Sequence, residues 1–384
     1  METQTHQTSG AVSVSGIDVG KLEKELAAMW QSAAGDGAAE AGTTRVCVLN
    51  LIVYAAQQED RAQIDALLDE VTAQTPSRAI VLVADREAAD ARLEAYVSTR
   101  CQAESRGGKQ VCGEQVTIEA GGAVLENVST AIEPLLVADI PVFLWWKDIP
   151  HYEDKLFSRL VELSDRVVID SLAFDHPHED LQHLAEMLRT HPEFMRVSDL
   201  NWGRLTSWRT LLASFWDVPD YRPLLDQIDS LVVEYDPPDV SHEQLAPQAL
   251  LVAGWLAARL GWQIAPEHAR VEGAARHYTA QALGGRTVNI ELRGASDREG
   301  RDGWLASVTL RASAQSAEFQ ISMNEAGTKL ETEARVGEHR HIDRVLAYEQ
   351  KTEGRRLARE LALLLRDRIY EEAVTAAAQF VAAE

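Results

Sequence analysis

Residues 45–55, RVCVLNLIVYA, decide the fold of this chain. After Arg45 the run is apolar except for Asn50. A strand wetted on one face alternates polar and apolar residues, whereas a near-continuous apolar strand is covered on both faces, as in a parallel sheet between helices. Residues 59–71, EDRAQIDALLDEV, then place Ile64, Leu67, Leu68 and Val71 at helical spacing. After the turn TPSR (75–78), AIVLVAD (79–85) is a second buried strand. Strand, helix and strand make a βαβ unit with a right-handed crossover.

Outward from this unit, AYVSTRC (95–101) and VCGEQVTIEA (111–120) read as a hairpin around a Gly-rich loop. Val124, Leu125, Val128, Ile132 and Leu135 lie at helical spacing, with Pro134 ending or kinking that helix. PVFLWW (141–146) and RVVID (166–170) are further core strands, with the helix KLFSRLVEL (155–163) between them. This alternation predicts a mainly parallel, Rossmann-like sheet with helices on both faces.

The rest of the chain has a different rhythm. Residues 179–189 and 201–217 read as helices, LVVEY (231–235) as a strand, and Ser241 with Gln244 as a capping box for a helix ending at Leu260. Between 286 and 350, five alternating segments predict an antiparallel meander with one wet face. A final long helix would carry Leu357, Leu361, Leu364, Leu365 and Ile369 on one stripe. The fold class is therefore α/β followed by α+β. The expected domains are a flexible segment 1–44, an α/β domain 45–175 and an α+β domain 176–384, with the boundary left open within 176–240.

Sixty acidic residues oppose 37 basic ones, a net charge of −23. Such a chain repels nucleic acid and anionic membranes, which are bound through Lys and Arg. No apolar run reaches the roughly 20 residues of a membrane span. The start of the sequence lacks the basic and apolar regions of a secretory signal, and three cysteines do not make a disulfide scaffold. A cytoplasmic location is expected.

Catalytic motifs are missing. The first strand runs into YAAQQED rather than G-x-G-x-x-G, and neither a Walker-type loop, a G-x-S-x-G elbow nor H-E-x-x-H occurs. Gly107-Gly108-Lys109 falls in the predicted hairpin loop rather than before a helix. His176 and His178 near Asp175 read as a turn before a helix, and His339 and His341 lack a third ligand. No metal or cofactor is expected. A small ligand of an open α/β sheet sits beyond the carboxyl ends of the strands. Those ends offer Asp85, Lys147, Asp148, Asp170 and Ser171, which otherwise serve as caps and turn formers.

Cys101 and Cys112 flank the hairpin loop. A turn at Arg106-Gly107 sets them opposite one another, a candidate redox pair; a turn at Gly107-Gly108 separates them. Cys47 reads as a small core residue. Trp145, Trp146, Trp202, Trp208 and Trp216 are candidate partner-interface residues, because Trp is favoured where interfaces concentrate their energy. Each taken singly also suits a core.

Read in order, RVCVLNLIVYA, TPSRAIVLVAD, CGEQVTIEA, PLLVADIPVFLWW, SDRVVIDS and DLNWGRLTSWRTLLASFWDVPDYRP resemble the OpcA family of glucose-6-phosphate dehydrogenase assembly proteins. The blocks span about 45–223; beyond them the likeness lies in the pattern of strands and final helix. The resemblance implies a non-catalytic effector that binds glucose-6-phosphate dehydrogenase and promotes its active oligomer, in support of the oxidative pentose phosphate pathway. It supplies no catalytic residues. Thiol control accompanies some members, although VCGEQ carries one cysteine where some relatives carry two. The alternative reading is a small-molecule enzyme or sensor using the strand-end acids.

Overall fold

The computed structural model describes the chain outside residues 1–16, 36–43, 46, 104–109, 192–195, 239–243, 274, 296–299, 350, 364 and 383–384. Gly107-Gly108-Lys109 and Ser241 lie outside the described residues. Two compact units are formed. Unit 1 contains residues 1–169, 191–198 and 352–366; unit 2 contains 170–190, 199–351 and 367–384.

Unit 1 begins with helix α1 (Val19–Gly35). Its strands are β1 (Thr44–Arg45), β2 (Leu49–Ala56), β3 (Ser77–Asp85), β4 (Arg92–Ala103), β5 (Gln110–Gly121), β6 (Val142–Trp146), β7 (Arg166–Ile169) and β8 (Val197–Asp199), the last straddling the boundary. Helices α2 (Arg61–Gln74), α3 (Ser129–Ile132) and α4 (Lys155–Glu162) connect them. The sheet runs β5-β3-β2-β6-β7-β8, with β4 antiparallel on the outer edge of β5 and short β1 also on β5. Strands β5, β3, β2, β6 and β7 pair parallel. This is the doubly wound order in which the chain starts centrally and reverses direction between β2 and β6.

The burial of β2 and β3 follows their composition: Leu49 to Ala55 and Ser77 to Ala84 are buried without interruption. Asn50, the polar residue of that run, has no exposed surface and bonds Val137 at both ends of its amide, at 2.9 Å each. Helix α2 starts where Asp60 accepts from the Ala62 amide, and it buries Ile64, Leu68, Val71 and Thr72.

The segment read as flexible contains a docked helix. Helix α1 buries Leu22 and Leu26, and Glu23 pairs at 2.7 Å with the buried Arg78, which Glu114 also holds. One turn of paired leucines and a charge partner are enough to dock it.

Unit 2 contains helices α5 (Pro177–Thr190), α6 (Leu200–Arg204), α7 (Thr206–Ser214), α8 (Arg222–Leu225) and α9 (Pro247–Leu260). Its sheet is built from β9 (Ser230–Tyr235), β10 (Gln263–Glu272), β11 (Ala275–Gln281), β12 (Thr287–Gly294), β13 (Leu305–Ala312), β14 (Ala317–Met323), β15 (Lys329–Val336) and β16 (His339–Ala347). The strand order is β10-β11-β12-β9-β13-β14-β15-β16. The predicted meander is thus interrupted: β9, made earlier in the chain, inserts between β12 and β13 and pairs parallel with β12. The expected alternation holds, with Val288, Ile290 and Leu292 buried between more exposed neighbours.

The final helix is two helices, not one: α10 (Glu353–Leu361) in unit 1 and α11 (Arg368–Ala382) in unit 2. Asp367 starts the second, its carboxylate accepting from the Tyr370 amide at 3.0 Å. Leu357 and Leu361 are buried as expected, but Leu365 and Ile369 are exposed and the side chain of Leu364 is outside the described residues. The capping box also fails, because α9 starts at Pro247 and Gln244 instead accepts from the His178 amide.

Helices α9 and α11 cross at Gly254. A Cβ placed there would lie 2.3 Å from the Ala373 carbonyl oxygen and 2.7 Å from the Ala377 amide nitrogen. The two backbones meet because neither a side chain at 254 nor a large one at 373 or 377 keeps them apart. Gly254→Val is therefore expected to lower stability by about 3 kcal/mol, the upper end of ordinary overpacking. Urea unfolding of the variant checks this; a loss below about 0.5 kcal/mol, the range of a neutral surface change, would show that the crossing yields.

Candidate functional site

The carboxyl ends of β2, β3 and β6 are where a doubly wound sheet offers a binding place. Tyr54 and Trp146 are register partners on adjacent strands, stacked with centroids 3.8 Å apart and planes 18° from parallel. Phe157 of α4 meets Trp146 edge-on at 4.9 Å. All three are fully buried. Arg86, just past β3, donates to the Tyr54 hydroxyl at 2.7 Å and to Asp154 at 2.6 Å. Burial raises the Tyr54 pKa against the lowering effect of Arg86, so the ring keeps its proton while its oxygen accepts from the guanidinium.

The strand-end residues expected to face a ligand are engaged with one another. Lys147 lies 2.5 Å from Glu59 and 5.0 Å from the centre of the Trp145 ring. Glu59 also accepts from the Ala56 amide at 3.1 Å. Asp85 accepts from the Glu87 amide at 3.1 Å, and the Gln57 side-chain amide donates to its carboxylate. Asp148 caps the amide of Ile149 at 2.8 Å.

Asp170 and Ser171 belong instead to unit 2, in a buried network of their own. Arg204 holds Asp170 through two bonds of 2.6 and 2.7 Å. Asp199, which sequence reasoning passed over, accepts from the Ser171 amide and hydroxyl at 3.0 and 2.7 Å, from the Asn201 amide at 2.8 Å and from the Tyr370 hydroxyl at 3.2 Å. Asn201 donates to Ser171 and accepts from Gln248, which in turn accepts from the Leu305 amide. Asp199, Ser171, Asn201 and Tyr370 are all within 1% of complete burial. With its polar atoms satisfied and no exposed surface, this cluster joins β8, α6, α9, β13 and α11 rather than meeting a substrate. The signal that locates it is the Asp-Leu-Asn sequence at a strand-to-helix step, where Asp199 caps α6.

Among the tryptophans proposed as partner contacts, Trp145, Trp146, Trp202 and Trp208 are buried and only Trp216 is half-exposed. The sheet is covered on both faces, so two consecutive tryptophans on β6 both enter cores. Trp216 packs edge-on against Phe319 at 4.8 Å, beside Tyr221. Cys101 and Cys112 are register partners on β4 and β5, as a turn at Arg106-Gly107 requires. Cys112 is buried and disulfide-bonded, whereas Cys47 is free and its thiol is pushed up by burial. His178 accepts from the Leu245 amide at 2.8 Å and the His176 amide bonds Asp180, so the FDHPHED segment is a structural turn. No cluster able to hold a metal ion is found among the described residues. No described helix is long and apolar enough to cross a membrane.

Asp199 gives a pH test. Burial, then the neighbouring Asp170 charge, raise its pKa from 3.8 to about 6, against the lowering effect of its bonds to Ser171 and Asn201. The native state then holds a proton that the unfolded chain has released, so stability falls as pH rises from about 4 to 6 and is level above, a change of about 3 kcal/mol. Asn at this position keeps an oxygen for the two amides and presents its NH2 to the two rotatable hydroxyls. Asp199→Asn is expected to match or exceed wild-type stability at pH 7 and to lose the decline between pH 4 and 6. A loss above about 2 kcal/mol at pH 7, the cost of breaking buried charge-assisted bonds, would mean that the fold does not disfavour the ionised carboxylate. Urea unfolding across that pH range measures both.

Two family models match this chain. One, described as the glucose-6-phosphate dehydrogenase subunit N-terminal domain, covers residues 68–186; the other, the corresponding C-terminal domain, covers 195–374. The protein named OxPP cycle protein OpcA of Nostoc punctiforme is 35% identical over 200 residues, 51% of this chain and 40% of that protein. Its namesake in Synechococcus elongatus is 32% identical over 234 residues, 60% of this chain and 50% of that protein. The matched region thus spans half or less of the length of these relatives. An oxidoreductase structure from Sinorhizobium meliloti superposes with a TM-score of 0.49 at 12% identity, covering 88% of this chain and 96% of that one. Both halves of the sequence fall within one family, and the chain belongs to the OpcA family of glucose-6-phosphate dehydrogenase assembly proteins.

Proposed function

We propose that this chain binds glucose-6-phosphate dehydrogenase in the cytoplasm and favours its active oligomer, in support of the oxidative pentose phosphate pathway, without turning over substrate itself. The carrying observation is at the strand ends of unit 1, where Asp85, Lys147 and Asp148 are already bonded to the chain's own groups. A sugar-phosphate enzyme needs converging cations there, and Lys147, Arg86 and Arg61 are paired with Glu59, Asp154 and Glu119. The family assignment supports the dehydrogenase as that partner.

An effector shifts an assembly equilibrium only through unequal affinity for its states. The surface recognised on the dehydrogenase is therefore complete only in the active oligomer. The Cys101–Cys112 pair is the place for thiol control of this association, since opening a cross-strand pair loosens the end of the β4–β5 hairpin. Of the five candidate tryptophans, Trp216 is the one left partly exposed for a partner contact.

Mixing the protein with the dehydrogenase of the same organism, with mass followed by light scattering and NADPH by absorbance, tests this reading. A larger complex and a raised rate are expected, with a dithiothreitol dependence that Cys101→Ser removes. No complex and no rate change, with or without reductant, would end the assembly reading.

A further inference from the structure

The reversal between β2 and β6 is where doubly wound sheets hold the pyrophosphate of a nicotinamide dinucleotide. Three elements of such a site can be compared with this chain. A Gly-rich turn lets the phosphates approach the backbone, a free amide after the first strand binds them, and an acid after the second strand takes a ribose hydroxyl.

Each place is filled from within. The turn after β2 is Gln57-Gln58-Glu59-Asp60, with no glycine. The amide at the end of β2, on Ala56, is taken by one oxygen of Glu59, and the other oxygen reaches across the reversal to Lys147 after β6. The acid after β3, Asp85, is held by the Gln57 amide. Farther in, Tyr54 and Trp146 stack side by side on one face of the two strands. The charges agree: Glu59, Asp60, Asp85, Asp148 and Asp154 gather at these ends with Lys147 and Arg86, while the neighbouring Arg61 and Lys155 pair with Glu119 and Glu126. A doubly charged pyrophosphate entering this group would be repelled. The residues present do not fit a dinucleotide.

We infer that Glu59 is a built-in anion standing in the pyrophosphate position, so that unit 1 excludes nicotinamide dinucleotides and leaves their binding wholly to the partner enzyme. The last clause rests on the assembly reading; the exclusion does not. Glu59 carries out what a bound phosphate does elsewhere: it ties the amide after the first strand to a cation after the fourth. The cleft is thereby bridged without a ligand. Because Glu59 and Lys147 are each partly exposed, their pair is a modest interaction whose removal leaves the core of the sheet in place.

The test titrates inorganic pyrophosphate and NADP+ into the intact chain by calorimetry, with the fluorescence of Trp145, beneath Lys147, as a second signal. Wild type is expected to bind neither at concentrations up to about 1 mM, the limit of weak binding. Glu59→Ala frees the Ala56 amide and Lys147 together and is expected to bind pyrophosphate at least about tenfold more tightly than wild type. The double variant Glu59→Ala/Lys147→Met should lose that gain, and circular dichroism verifies that each variant is folded. NADP+ should remain unbound in all three, because the turn after β2 still has no glycine and Gln57 still holds Asp85. Binding of NADP+ by wild type would overturn the inference while leaving complex formation with the dehydrogenase untouched. Failure of folded Glu59→Ala to gain pyrophosphate binding would equally overturn the role given to Glu59.

Discussion

Strand β2 is apolar on both faces, and unit 1 is arranged to keep it dry. A strand that can show neither side to water needs a hydrogen-bonded neighbour on each edge and a covering layer on each face. β3 and β6 supply the edges. The one polar side chain within it, Asn50, is tolerated because Val137 satisfies both ends of its amide. Polar groups are consequently pushed to the ends of the strands. There the charge pairs Glu59–Lys147 and Arg86–Asp154 collect, together with the Gln57–Asp85 bond.

The second unit solves a different problem. Its sheet alternates, so one face of each strand is apolar, and α9, with ten buried residues, lies under it. A helix buried so thoroughly cannot spare room at its closest crossing, which explains the bare backbone at Gly254. Polar atoms left inside must satisfy each other, and the chain from Asp199 through Ser171 and Asn201 to Gln248 does so with side chains from four separate elements. Burial of Tyr370 and the nearby Asp199 charge raise the phenol's pKa well above its ordinary value, so it remains a donor.

How far the sequence was legible follows from the range of each signal. The βαβ start, the hairpin and the buried strands were readable, because run length and spacing are local properties; the register at Cys101 and Cys112 stayed open between two turns until the pairing of β4 with β5 fixed it. The insertion of β9 beside β12 was not, since parallel pairing of strands more than fifty residues apart leaves no local mark. The split of the last helix carried a weak mark, Asp367 at a cap position, masked by the leucines around it. At the candidate site, Asp85, Lys147 and Asp148 were correctly placed at strand ends, but their partners Gln57 and Glu59 looked like ordinary turn residues. Asp199 was missed because nothing in Asp-Leu-Asn announces that Tyr370, far along the chain, closes over it.

Neither unit is a continuous stretch of chain. Unit 1 takes back residues 352–366 after unit 2 has been mostly threaded, and α10 within that return packs on α2 with Gly354 against the Leu67 carbonyl and the Glu70 side chain. A ribosome emits residues in order, at about 5–20 per second. The first sheet therefore emerges early with the seat for α10 on α2 still bare, and it waits through some 150 further residues for its last piece. The delay is tens of seconds at the slower rate. A nascent chain of this design carries an unfinished surface on α2 through most of its own synthesis, and a truncation ahead of α10 leaves that surface uncovered for good.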